Sequence, residues 1–187
     1  QNRRPVDLPI AVQEMASSLR HRGPDRSDVW LAGGPSIGFG HTRLAIVDLS
    51  DAGVQPMTSA DGRWTITYNG ELYNTDDLRR RLKGPRWRGH SDTEVLIEYI
   101  ACHGVVAALE AARGMFAFGC WDARERELWL ARDRFGEKPL YYGLHQGAFL
   151  FASELKALRS VPGFSPEIDR HALREYFRWT NVPSPMT

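Results

Sequence analysis

The polar residues with the clearest chemical potential in this chain are Arg43, the run Asn69-Gly70-Glu71, and Asp92. An asparagine carboxamide and a glycine N–H can both donate a hydrogen bond to an oxygen that develops negative charge. An arginine fork matches a carboxylate, and acidic side chains match an ammonium group. Together these residues would suit a free amino acid, although their spacing alone does not establish that they meet.

Each of these residues also has a purely structural interpretation. Asn-Gly after an alternating strand is the usual signal of a type I′ hairpin, which is the favoured interpretation of the run taken alone. Arg43 stands at the head of a predicted strand, where arginine is most often a solvated end charge. Asp92 falls in the first turn of a predicted helix, where the helix dipole favours any acid. The residues by themselves leave both interpretations open.

Other classes of site find little support in the sequence. The six histidines have no metal-ligand spacing, so no metal site is expected, and no phosphate-binding loop is present. The formal net charge is +1 with acids and bases interspersed, so we expect no nucleic-acid partner. No apolar run approaches membrane-spanning length. Cys102 and Cys120 are predicted to be reduced core residues, and we expect no membrane contact and a cytoplasmic location.

The elements that must position these residues are predicted from the periodicity of apolar side chains. Helices are expected after Asp7, after the capping residues Asn74, Ser91 and Asp169, and over residues 105–112 and 154–159. Strands are expected over residues 36–40, 44–47, 64–68, 115–121, 128–131, 140–143 and 149–152. Because the strand at 115–121 is apolar on both faces, it needs cover on both sides. The sequence therefore predicts an α+β fold of packed sheets with helices outside.

Seven short motifs occur in an order that resembles a known family. They are His21-Arg22-Gly23-Pro24-Asp25, Arg43-Leu44-Ala45-Ile46-Val47-Asp48, Asn69-Gly70-Glu71-Leu72-Tyr73-Asn74, Ser91-Asp92-Thr93-Glu94-Val95, Gly114-Met115-Phe116-Ala117-Phe118, Arg132-Asp133-Arg134-Phe135-Gly136 and Lys138-Pro139-Leu140-Tyr141-Tyr142. Each is weak alone, but the ordered set is specific. It resembles the class II, N-terminal-nucleophile glutaminase domain of the asparagine synthetase family, and it covers the chain from about His21 to Ser160.

The resemblance implies a four-layer α-β-β-α sandwich of the N-terminal-nucleophile hydrolase type for residues 1–162. Residues 163–187 are expected to be a linker and the start of a C-terminal ATP-dependent synthetase domain. The glutaminase domain itself would need no cofactor, whereas ATP and Mg are expected in the synthetase domain. The resemblance leaves a homodimer open.

The resemblance also implies a role for each of the polar residues singled out above. Arg43 would bind the carboxylate of L-glutamine, and Glu71 and Asp92 would bind its ammonium group. Asn69 and Gly70 would form the oxyanion hole. The complete set of substrate-binding residues that the resemblance implies is Arg43, Leu44, Ala45, Ile46, Val47, Asn69, Gly70, Glu71 and Asp92.

In this family an N-terminal cysteine attacks the side-chain carboxamide of glutamine, with its own α-amine as the base. Ammonia leaves, water hydrolyses the thioester, and the ammonia passes to an ATP-activated aspartate or similar carboxylate. The printed sequence has no cysteine near its start, and the opening strand of the family is expected to be missing from it. Cys102 and Cys120 cannot substitute, because neither has a free α-amine. The chain as printed is therefore expected to be inactive.

Three hypotheses follow for the function of the intact protein. It is an active glutaminase, a relative that keeps the domain as an inert scaffold as in the β-lactam-forming synthetases, or a non-catalytic module that senses glutamine. The retention of Arg43, Asn69-Gly70, Glu71 and Asp92 favours the active glutaminase, since a scaffold has no use for the whole set. The residue that follows the initiator methionine separates the first hypothesis from the other two.

Overall fold

The computed structural model of the chain describes residues 5–33, 37–45, 50–83, 86–184 and 186. In these residues the fold is α+β, as predicted. The helices are α1 (Leu8–Ser18), α2 (Thr75–Arg81), α3 (Asp92–His103), α4 (Val105–Ala111), α5 (Leu155–Arg159) and α6 (Arg170–Trp179). The strands are β1 (Arg26–Leu31), β2 (Gly38–Arg43), β3 (Met57–Thr58), β4 (Trp64–Leu72), β5 (Gly114–Asp122), β6 (Glu127–Arg132), β7 (Tyr141–His145) and β8 (Ala148–Ala152).

The largest sheet is antiparallel and has the strand order β3-β4-β5-β6. Along β4, Trp64, Ile66 and Tyr68 point to one face and are buried against α3 together with Phe118 of β5. The alternate residues of β4, among them Thr67 and Asn69, point to the opposite face. The same strand therefore builds the main core with one face and presents polar side chains with the other.

The interpretation of Asn69-Gly70 as a hairpin turn is wrong. The predicted end of the strand at residue 68 is therefore wrong as well. Asn69 and Gly70 lie inside β4, opposite Ala117 and Phe116 of β5, and the strand continues to Leu72. Neither residue has a positive φ. Long-range pairing with β5 thus prevails over the local turn preference of Asn-Gly, because the full length of β5 is available to pair with β4.

Two smaller sheets, β1-β2 and β7-β8, lie against the polar face of the central sheet. The Thr67 hydroxyl of β4 donates to the Gly40 carbonyl of β2 at 3.4 Å. On β5, Gly119 leaves room for the Phe151 ring of β8, which a Cβ atom would meet at 2.5 Å. The strand predicted at 36–40 corresponds to β2, which begins at Gly38 and continues to Arg43. Of the strand predicted at 44–47, Leu44 and Ala45 are not in a strand, and residues 46 and 47 lie outside the described part. Strand β1 was not predicted, because its polar start breaks the alternation of apolar residues.

Helices pack against both the small sheets and the central sheet. Helix α1 packs on β1, β2 and α5, and α5 packs on β8. Helix α1 confirms the helix predicted to follow Asp7, and Asp7 caps it by accepting from the Ile10 N–H at 3.2 Å. On the other side α2, α3 and α4 pack in sequence, with α3 against β4.

Two predicted caps have different outcomes. The Ser91 hydroxyl caps α3 by accepting from the Glu94 N–H at 3.2 Å, as predicted. The Asn74 side chain does not cap α2: it donates to the Ala111 carbonyl at 2.9 Å and accepts from the Arg113 N–H at 2.8 Å. Asn74 therefore ties the end of β4 to the start of β5.

Helix α6 begins at the predicted cap Asp169, which accepts from the N–H groups of His171 and Ala172. Its apolar residues Tyr176 and Phe177 are exposed. Among the described helices, none is both long and apolar enough to cross a membrane.

Candidate active site

A cleft of about 480 Å³ lies between the two β layers and beneath α1. Its volume falls in the range of roughly 300–1,000 Å³ that is usual for small-molecule sites. Its walls come from both layers and from the start of α3, and they include residues 38–45, 67–71, 91–93, 117–119 and 149–153. The predicted site residues Arg43, Leu44, Ala45, Asn69, Gly70, Glu71 and Asp92 all line it. The other two, Ile46 and Val47, lie outside the described residues.

Asn69 projects from β4 into the space between the layers. Its carboxamide Nδ2 is buried and has no hydrogen-bond partner among the described residues. Buried donors are almost always paired, because leaving one unpaired costs about 1–3 kcal/mol. A buried, unpaired amide in a cleft wall is therefore a donor available to an oxygen atom of a ligand.

The N–H groups of β4 identify a second donor beside Asn69. Alternate N–H groups of a strand point to the same edge. At the edge away from β5, the Tyr68 N–H donates to Gln55 Oε1 at 2.7 Å, and the Leu72 N–H donates to Asp92 Oδ2 at 3.0 Å. The Gly70 N–H lies between these two at the same edge. Strand β3 does not reach it, since β3 pairs only with Thr65 and Ile66.

Arg43 ends β2 at the mouth of the cleft, where its Nη2 donates to the Ser50 carbonyl at 3.0 Å. The surrounding backbone is held by Asp25: its N–H donates to the Arg43 carbonyl at 3.1 Å, and its carboxylate accepts from the Ala45 N–H at 2.8 Å. Gly23 permits this approach, because a Cβ there would lie 2.3 Å from the backbone of Thr42. The His21–Asp25 motif thus helps to position the backbone on either side of Arg43.

Asp92 lies in the first turn of α3, beside the Leu72 end of the β4 edge. Besides the Leu72 N–H, its carboxylate accepts from the Tyr68 hydroxyl at 3.2 Å and the Thr93 N–H at 2.8 Å. Burial raises the pKa of Asp92, and the hydrogen bonds from Leu72 and Tyr68 oppose that rise. A partly buried carboxylate of this kind favours a cationic ligand. Glu71 lines the same cleft but is exposed.

The structure adds residues to the cleft that the sequence did not point to. The His41 ring lies between the layers, with Nδ1 3.3 Å from Thr67 Oγ1. Burial and then the charge of Arg43 lower the pKa of His41 to about 4, so the ring is neutral near pH 7. Gln55 and Tyr68 are buried in the wall. No local sequence pattern marks these residues, since their partners come from distant parts of the chain.

The described residues contain no cluster of three or more histidine, cysteine, aspartate and glutamate side chains that could hold a metal ion. The residues that line the cleft include hydrogen-bond donors, the basic residues Arg22, Arg43 and Lys138, and the acidic residues Glu71 and Asp92. This set can bind a zwitterionic amino acid and stabilise negative charge on an oxygen atom of its side chain.

Comparison with known proteins gives a consistent result. A family model described as a glutamine amidotransferase domain matches residues 3–187. Glutamine-hydrolysing asparagine synthetase 3 of Bacillus subtilis is 44% identical over 174 residues, which cover 89% of this chain and 27% of that protein. Glutamine-hydrolysing asparagine synthetase 1 of the same organism is 41% identical over 184 residues, which cover 97% of this chain and 28% of that protein.

A relative from Gibberella zeae named amidase chry2 is 37% identical over 173 residues, covering 90% of this chain and 26% of that protein. The chain thus spans 26–28% of the length of these three relatives. Since the family model matches nearly the whole chain, the chain belongs to the glutamine amidotransferase domain family, and its relatives include glutamine-hydrolysing asparagine synthetases.

Proposed function

We propose that this chain is the glutaminase domain of an asparagine-synthetase-like enzyme and that it hydrolyses L-glutamine to glutamate and ammonia. The observation that carries the proposal is the buried, unpaired Nδ2 of Asn69 in a cleft that Arg43 and Asp92 also line. Arg43 binds the carboxylate of glutamine, and Asp92 with Glu71 binds its ammonium group. The side-chain carboxamide then lies against Asn69 and Gly70.

The nucleophile is the N-terminal cysteine of the full-length protein. Its sulfur forms a bond to the carboxamide carbon, and the C=O electrons move to the oxygen, whose negative charge accepts hydrogen bonds from Asn69 Nδ2 and the Gly70 N–H. The α-amine takes the thiol proton and returns it to the leaving ammonia. Water then cleaves the thioester, which releases glutamate and regenerates the thiol.

The arrangement of the two small sheets supports a place for that cysteine. In the described part of the chain, β2 pairs only with β1, and β8 pairs only with β7. The Phe39 ring of β2 and the Phe151 ring of β8 lie 5.8 Å apart, and the cleft wall includes both strands. A strand that entered between β2 and β8 would pair with both free edges. It would join the two small sheets into one layer and complete an α-β-β-α sandwich.

The destination of the ammonia belongs to the rest of the full-length protein. We propose a C-terminal synthetase domain that follows the linker after residue 162, binds ATP and Mg, and activates aspartate or a similar carboxylate. The names of the Bacillus subtilis relatives motivate aspartate as the acceptor. An inert scaffold and a glutamine-sensing module remain the alternatives, and a cytoplasmic location and a homodimer remain predictions.

Glutamate release by the full-length protein, with ATP and aspartate omitted, tests the proposal. We expect one glutamate per ammonia, and we expect alanine in place of the N-terminal cysteine to abolish both. A folded full-length protein that binds glutamine but releases no glutamate would support the sensing module. A protein that neither binds nor hydrolyses glutamine would support the scaffold.

A further inference from the structure

Gln55 connects the two parts of the cleft that bind opposite ends of the proposed substrate. Its Oε1 accepts from the Tyr68 N–H of β4 at 2.7 Å, and its Nε2 donates to the Thr93 hydroxyl of α3 at 3.2 Å. The Gln55 side chain therefore spans the gap between the strand that carries Asn69 and Gly70 and the helix turn that carries Asp92.

Burial makes these contacts specific. Gln55 is 8% exposed, Tyr68 is 3% exposed and Thr93 is 3% exposed, so water has little access to replace either bond. Both ends of the Gln55 carboxamide form a hydrogen bond. Strand β3 does not extend to Tyr68, so the Tyr68 N–H would be unpaired without Gln55. Gln55 thus takes the place of a neighbouring strand at this point of β4.

A second connection runs between the same two elements. The Tyr68 hydroxyl donates to Asp92 Oδ2 at 3.2 Å, and the Leu72 N–H donates to the same oxygen at 3.0 Å. Tyr68 is therefore bonded through its backbone to Gln55 and through its side chain to Asp92. Together with the Gln55–Thr93 bond, these contacts form a closed ring that links β4 to the start of α3.

The Gly70 N–H lies at the same edge of β4, between the Tyr68 N–H that donates to Gln55 and the Leu72 N–H that donates to Asp92. In glutamine the ammonium group and the carboxamide carbon are joined by a short chain of fixed bond lengths. The ammonium group therefore reaches Asp92, with the carboxamide already against Asn69 and Gly70, only when Asp92 lies within the span of that short chain.

We propose, on the basis of the proposed function, that Gln55 and Thr93 are positioning residues that hold Asp92 in register with Asn69 and Gly70. Gln55 bonds the Thr93 hydroxyl, in the first turn of α3, to the Tyr68 N–H of β4. These bonds hold the first turn of α3 in place against β4. Because the ammonium group is remote from the reacting carbon, misplacing Asp92 weakens binding of substrate and transition state equally. Such a loss raises KM and leaves kcat nearly unchanged.

Thr93→Val in the full-length protein tests the inference, with Thr93→Ser as the matched control. Valine removes the hydroxyl and keeps the branched shape, whereas serine keeps the hydroxyl. We expect valine to raise KM for glutamine about tenfold with kcat within about threefold, the effect of one lost buried hydrogen bond. We expect serine to restore KM to near the wild-type value. Thermal melting of each protein shows that the variants fold.

Gln55→Met separates positioning from a direct contact between Thr93 and glutamine. Methionine keeps the length of the side chain and removes its polar end, while the Thr93 hydroxyl remains. Positioning predicts a similar rise in KM, and it predicts that the double variant is no worse than either single one. A direct contact predicts additive effects, and that result would overturn the inference, as would an unchanged KM in Thr93→Val. A wild-type protein without glutaminase activity would instead refute the proposed function.

Discussion

Replacing Asn69 with alanine in the full-length protein should reduce kcat strongly and stability very little. Removing one oxyanion donor lowers kcat by roughly 10²–10³, which corresponds to about 2.7–4 kcal/mol of lost transition-state stabilisation. KM should barely change, because the bond strengthens only as charge develops on the oxygen. Nδ2 has no partner in the described chain, so truncation removes no donor bond from this nitrogen. The free energy of unfolding should therefore change by no more than about 1 kcal/mol.

Asn74→Ala is the matched control, because this second asparagine of the same motif is bonded at both ends. Its carboxamide joins the Ala111 carbonyl to the Arg113 N–H. Its loss should destabilise the protein by about 1–3 kcal/mol and leave kcat per folded molecule unchanged. Steady-state glutamate release and thermal melting on the same preparations measure both quantities. A lower melting point with normal kcat in Asn69→Ala would refute its assignment as an oxyanion donor.

Three further predictions concern the cleft. Arg43→Lys keeps the charge but loses the bidentate fork. The KM for glutamine should therefore rise by the equivalent of about 2–5 kcal/mol if the ion pair is desolvated. An unchanged KM would show that Arg43 does not bind the carboxylate. Asp92 must be ionised to bind an ammonium group, and burial already raises its pKa against the opposing hydrogen bonds. Tyr68→Phe removes one of those bonds and raises the pKa further, so the acid limb of the pH profile of kcat/KM should move to higher pH; a limb that stays in place would contradict this. A polypeptide of the printed sequence should release no glutamate above a buffer blank, and release above that blank would show that the N-terminal cysteine is dispensable.

The fold class and most elements could be predicted because they depend on local signals. The buried strand β5 is apolar on both faces, and Asp7, Ser91 and Asp169 mark helix starts through bonds to N–H groups two or three residues ahead. The failed turn prediction has a physical cause in long-range pairing. Asn69-Gly70 carries a strong turn signal, but pairing with β5, more than forty residues later in the chain, keeps it extended.

The candidate site also depends on contacts between residues that are distant in sequence. Arg43, Asn69, Gly70 and Asp92 were predicted to act together on the strength of a family resemblance, and the structure brings them to one cleft. Their roles stay predictions, as do those of Ile46 and Val47, which lie outside the described residues. Gln55 could not be predicted, since its importance comes from contacts with two elements that are distant in sequence.

The central claim is that the cleft holds glutamine for attack by an N-terminal cysteine of the full-length protein. Intact-mass and peptide mass spectrometry of enzyme quenched in acid during turnover tests it most directly. The account predicts one γ-glutamyl group in thioester linkage on the N-terminal cysteine, absent when that cysteine is replaced with alanine and sharply reduced in Asn69→Ala. Glutamate release with no acyl group on the N-terminal peptide, or with the group on Cys102 or Cys120, would contradict it.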